Sequence, residues 1–163
     1  MRRHFPASLL LFVSAAALAT SITPHTLAQR AAEADRIALV QVVSKQTVLE
    51  NDDPRRMKTL STLAVAQSYK GEGALHVQLV QRGGKSGLYE AHIPGDAQLE
   101  VGATALVFLK CPQPNICSLV ALGAGALRMV DGQLWVPDLK TLTYSRQTLA
   151  AVVAQLQPPK GAK

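Results

Sequence analysis

Beyond residue 36, apolar and polar positions alternate mostly with a period of two, the spacing of strands that cover one face and expose the other. Ile37 to Val48 is rich in Val and Ile, and Asn51-Asp52-Asp53-Pro54 interrupts it with four turn-forming residues. Met57 to Tyr69 resumes the pattern and Lys70-Gly71-Glu72-Gly73 ends it, so a long hairpin with a charged tip is expected. Leu75 to Gln81 predicts a third strand with Leu75, Val77 and Leu79 on one face and His76 and Gln78 on the other. Gly83, Gly84 and Gly87 surround a bend before a short strand near Leu88 to Ile93, and Pro94-Gly95 makes another turn. Val101-Gly102 then leads into Thr104 to Leu109, whose unbroken apolar run predicts a central strand covered on both faces.

Ser118 to Leu122 extends the sheet, and Gly123-Ala124-Gly125 lets the chain bend. Ala126 to Val130 and Gln133 to Val136 flank Asp131-Gly132, the favoured two-residue hairpin loop. That loop sets Met129 opposite Leu134 and Leu127 opposite Val136 on an apolar face. It sets Arg128 opposite Trp135 on the other, where a cation–π contact is expected. The period changes to 3.6 over Ser145 to Gln157: Leu149, Val152, Val153 and Leu156 form one stripe, with Ser145 as N-cap and Tyr144 and Leu149 as a hydrophobic staple. Pro158 and Pro159 stop the helix, and residues 158–163 are expected to be a disordered tail. Seven or eight short strands and one C-terminal helix predict a mainly β domain over residues 36–157, a small antiparallel barrel or sandwich.

The first 28 residues have a different pattern. Arg2 and Arg3 precede an apolar run from Ala7 to Ala19, and small residues follow, the layout of a cleavable secretory signal peptide. Thirteen helical residues span about 20 Å, short of a hydrocarbon core of roughly 30 Å, so no stable membrane anchor is expected. Thr26-Leu27-Ala28 places small side chains where a signal peptidase reads, which sets the cut after Ala28, with Ala17-Leu18-Ala19 as the competing site. Residues 29–35, polar and Ala-rich, then form a flexible leader. The expected location is the periplasm or the extracellular space.

Cleavage leaves 135 of the 163 residues, one domain's worth, and takes the 17 basic residues to 15 against 11 acidic ones, a net charge of about +4. Those charges are interspersed, without the basic clustering that nucleic-acid binding requires. In an oxidising compartment Cys111 and Cys117 are expected to form a disulfide across a hairpin mouth. Five intervening residues are not the Cys-x-x-Cys spacing of a redox centre.

Candidate chemistry is sparse. Gly84-Lys85-Ser86 resembles the end of a phosphate-binding loop, but Leu79 stands where the first glycine belongs and no helix follows, so no nucleotide or other cofactor is expected. His76 and His92, with Glu90 as the third group, are the best metal ligands on offer, yet their alternation with apolar residues points them outward and no metal site is expected. Neither Gly-x-Ser-x-Gly nor Ser-x-x-Lys occurs beyond the signal segment. The carboxylates Asp52, Asp53, Glu90, Asp96, Glu100, Asp131 and Asp138 fall nearly all in expected turns, where local hydrogen bonding accounts for them.

Tyr69-Lys70-Gly71 closing the second strand, the Gly83-Gly84 bend, Ile93-Pro94-Gly95, and Val101-Gly102 leading into Leu106-Val107-Phe108-Leu109 together resemble a group of small exported bacterial proteins of unknown function. The resemblance covers Asp35 to Leu109, with Leu142 to Leu156 matching a C-terminal helix, and implies a barrel like the OB-fold or the netrin-like domain. It carries no functional residue. The sequence therefore favours an exported, non-enzymatic binding or accessory domain that uses a barrel face or the Glu50 to Lys58 tip to meet another envelope or secreted protein. The alternative is an envelope-acting hydrolase or metal-dependent enzyme built from scattered Asp, Glu and His.

Overall fold

The computed structural model describes residues 25–138, 141 and 143–156. The expected signal peptide up to residue 24 and the expected tail 158–163 lie outside the described residues. The first described element is a helix, α1 (Leu27–Glu33), where the sequence suggested a flexible leader. Its cause is local: Thr26 and Gln29 form a reciprocal capping box, and Leu27, Arg30 and Ala31 turn to one buried side.

Strands β1 (Arg36–Glu50) and β2 (Asp53–Lys70) make the long hairpin. Its tip is tighter than the expected four residues. Asn51 and Asp52 both adopt φ near +56°, which completes a two-residue turn and leaves Asp53 and Pro54 to the second strand. Four register shifts along the pair bend these long strands, and each adds curvature. β3 (His76–Arg82) follows, then a small hairpin of β4 (Gly84–Ser86) and β5 (Tyr89–Ala91). Leu75 lies outside β3 and is exposed, while Val77 and Leu79 are buried as expected.

β6 (Thr104–Gln113) and β7 (Ile116–Leu119) form the cysteine hairpin, with Cys111 and Cys117 joined in a disulfide. β6 also pairs with β1, and β7 lies parallel to β3 at Gln78–Ile116 and Leu79–Cys117. Pairing therefore closes on itself in the order β1-β2-β3-β7-β6-β1, with β3–β7 the one parallel pair in this ring. Beyond β6 the sheet continues through β8 (Ala126–Val130), β9 (Gln133–Asp138) and β10 (Thr143–Thr148). A second helix, α2 (Leu149–Leu156), ends the described chain.

The expected start of that last helix is corrected. Ser145 to Thr148 pairs with β9 instead of coiling, so the N-cap is Thr148, whose Oγ1 accepts a hydrogen bond from Ala151 N at 3.2 Å. Sheet pairing outweighs weak helix propensity over four residues that carry no apolar stripe.

β6 is the doubly covered strand that its apolar run predicts. Ala105, Val107 and Leu109 face one core with Val40, Leu63 and Leu79 inside the ring of strands. Leu106 and Phe108 face a second core, closed by Leu127 and Leu134 from the β8–β9 hairpin and by Leu27 and Val152 from the two helices. Alternation on one strand thus fastens barrel, outer hairpin and helices together. Among the described residues no helix is long and apolar enough to cross a membrane.

Candidate ligand-binding groove

The β8–β9 hairpin turns at Asp131-Gly132, both with positive φ, and pairs Met129 with Leu134 as the loop length dictates. β10 then lies against β9 with Tyr144 opposite Pro137 and Arg146 opposite Trp135. Trp135, Tyr144 and Pro137 line one side of a groove of about 700 Å³, within the range of small-ligand sites. Gly123, Ala124 and Ala126 also line it, as do Gly95, Asp96, Ala97 and Gln98 from the loop before β6. The Trp135 and Tyr144 ring centres are 6.0 Å apart with the planes inclined at 51°, a tilted aromatic pair.

Glycine at 123 is required by a close approach. Its N–H donates to Gly95 O at 2.8 Å, and a Cβ there would fall 2.5 Å from the same oxygen. Two loops far apart in sequence meet at this point. The groove also holds an orphan donor: Trp135 Nε1 is buried and has no hydrogen-bond partner.

The cation at the indole is not the one expected from the hairpin. Arg128 and Trp135 both line the groove, as their register requires, but it is Arg146 that lies over the ring, 5.2 Å from its centroid. β10 supplies this guanidinium directly across from the indole.

A second concavity, of about 410 Å³, lies on the other side of the shared Asp96–Gln98 segment. It is lined by polar groups such as Lys45, Gln81, Lys85, Glu90 and His92. Several of these are committed to partners already: Lys45 to Glu100 at 3.3 Å, Lys85 to Glu90 at 3.9 Å, and Gln81 Nε2 to Ala97 O at 2.9 Å. His92 Nδ1 lies 3.5 Å from Gln98 Nε2. Glu90 and His92 thus share a cavity, whereas His76 is exposed on β3 and does not line it. Among the described residues no three His, Cys, Asp or Glu side chains gather as metal ligands would.

Gly84-Lys85-Ser86 is β4 itself, paired with β5, and opens no helix. Gly84 lies so close to β1 and β2 that a Cβ would collide with Thr59 Oγ1 and meet Thr47 Oγ1 at 2.6 Å. Its role is to let the small hairpin lie on the barrel. At the long hairpin's tip, Lys58 Nζ reaches Glu50 Oε2 at 3.0 Å, and this hydrogen bond holds the Glu50 carboxyl below its usual pKa. Asp53 Oδ1 accepts from Arg55 N at 2.9 Å, a local turn contact.

Three charged residues that alternation could not single out anchor the framework. Arg30 is 2% exposed, donates to Ala124 O and covers the Phe108 ring. Arg36 Nη2 donates to Ala74 O at 3.0 Å. Asp35 accepts from Lys110 Nζ at 2.7 Å and from Cys111 N at 2.9 Å, and the Lys110 hydrogen bond is the leading cause of its lowered pKa. The capping spacing Thr26-x-x-Gln29 was the one sequence signal for this region.

No protein-family model matches this chain, and no curated protein matches it.

Proposed function

We propose that this protein is an exported, non-enzymatic binding domain that takes an extended segment of another envelope or secreted protein along β10, with side chains entering the Trp135 groove. The observation that carries this reading is the groove's position. Its aromatic side, Trp135 and Tyr144, lies on the last two strands of the sheet, and β10 has no further strand beyond it among the described residues. An added strand gains main-chain hydrogen bonds from such an edge, while an adjacent pocket reads alternate side chains of the incoming segment. Aromatic walls and a flanking arginine are the residue types that dominate protein recognition sites.

Export is supported by the basic and apolar start of the chain and by the Cys111–Cys117 disulfide, which suits an oxidising compartment. The OB-like identity belongs to the same proposal. It is supported by a five-strand ring with a single parallel closure between β3 and β7.

Site-specific photo-cross-linking in intact cells tests the binding reading. A photoreactive residue in place of Tyr144 is expected to capture a discrete partner, whereas the same residue in place of His76, exposed on β3, captures none. Equal capture at both positions, or none at 144, overturns it.

A further inference from the structure

The first turn of helix α1 is fastened to the domain by groups at or before residue 30, and the rest of the helix by Ala31 and Ala34, buried in the second core, and by Lys70 Nζ, which donates to Ala31 O at 2.7 Å. Thr26 Oγ1 accepts from Gln29 N at 3.2 Å and Gln29 Oε1 accepts from Thr26 N at 2.8 Å, which closes the first turn. Leu27 is 9% exposed and packs in the second core. Arg30, at 2% exposure, donates to Ala124 O with its guanidinium carbon 5.8 Å from the Phe108 ring centre. His25 Nδ1 lies 3.6 Å from Glu33 Oε2.

A cut after Ala28 would pass through this helix. It would remove Leu27 from the core and the Thr26 cap from Gln29 N. It would also leave five helical residues headed by a new ammonium group, which has the same sign as the helix N-terminal end and is disfavoured there. Arg30 would then lie one residue from a free chain end, held only from its C-terminal side by buried Ala31 and Ala34.

We infer that the export leader is removed between Ala19 and Thr20, so that Thr26 and Leu27 stay in the mature protein as helix cap and core side chain. This rests on the export reading above. Ala17-Leu18-Ala19, the last three residues of the apolar run, supplies alanine at both positions a signal peptidase reads. Thr20 to His25 then leaves six residues ahead of the cap. Thr26-Leu27-Ala28 has the right residue sizes, but a cut there discards the cap Thr26 and the core side chain Leu27, which the folded domain uses.

The test is to express the full chain with its own leader in a bacterium and determine the first residue of the exported protein by intact mass and N-terminal sequencing. Thr20 is expected, and any other first residue overturns the inference. Gln29 as the first residue leaves the export reading standing, whereas a chain still beginning at Met1 sinks that reading as well. Ala19→Tyr should abolish processing and Ala28→Tyr, at an exposed helix position, should not; the reverse pattern overturns the inference. Purified chains starting at Thr20 and at Gln29 complete the test. The shorter is expected to melt lower by about 5 °C or more, and equal melting temperatures count against the assignment.

Discussion

The Arg146 guanidinium lies 5.2 Å from the centroid of Trp135, directly across the β9–β10 pair. Trp135 is the chain's one tryptophan, so its fluorescence reports this contact and the groove without labelling. Arg146→Ala should shift the emission and cost about 0.5 kcal/mol, the usual size of an exposed cation–π contact. Arg128→Ala, which changes the groove lining without touching the stacked cation, should leave melting unchanged. If Arg128→Ala gives the larger spectral and melting change, the Arg146 assignment is wrong.

The floor of the groove gives a second prediction. Gly123→Ala drives a Cβ to within 2.5 Å of Gly95 O, so one of the two loops must move. The expected outcome is loss of cross-linking from position 144 and a destabilisation of about 1–3 kcal/mol, the usual cost of forcing atoms into a packed site. Denaturant unfolding followed at Trp135 measures the second quantity. An unchanged midpoint with cross-linking retained would show that the loops do not depend on this approach.

What was legible in the sequence is what single strands and short loops decide. Ala105 to Leu109 is buried on both faces because every position in that run is apolar, and Asp131-Gly132 could hardly be anything but a hairpin turn. The parallel closure between Gln78 and Ile116 was not legible, since no local pattern records which distant strands meet. Nor was β10: Ser145 to Thr148 borders a true helical stripe, and only pairing with β9 draws those residues into the sheet. With β10 unseen, Arg146 could not be found, and the nearest cross-strand arginine took its place in the expectation. The groove escaped for the same reason, because Gly95 to Gln98, Gly123 to Ala126 and Trp135 come together only in the folded chain.

The disulfide provides a third prediction. Cys111 and Cys117 are six positions apart, and closing so short a loop stabilises by roughly 2 kcal/mol in the chain-entropy model. The double variant Cys111→Ala with Cys117→Ala should therefore fold and melt several degrees lower. A midpoint equal to that of the wild type under oxidising conditions would show that the bridge adds nothing to stability.

Asp35 joins the chain leaving α1 to the cysteine hairpin, accepting from Lys110 Nζ and from Cys111 N. Both donors favour the charged carboxylate, and its pKa in the folded protein is lowered. A group whose folded pKa is depressed stabilises the fold fully above its unfolded value, about 3.9, and that contribution fades as pH falls below it toward the folded pKa. Glu50 behaves in the same way through Lys58, at the far end of the long hairpin. Acid titration of the melting temperature should therefore show a decline below about pH 4 that is shallower in Asp35→Asn. The variant keeps an oxygen able to accept from Cys111 N but loses the ion pair, so the two curves should converge in acid and separate toward neutral pH. Parallel curves would mean that Asp35 is not one of the titrating groups that hold the start of the chain in place.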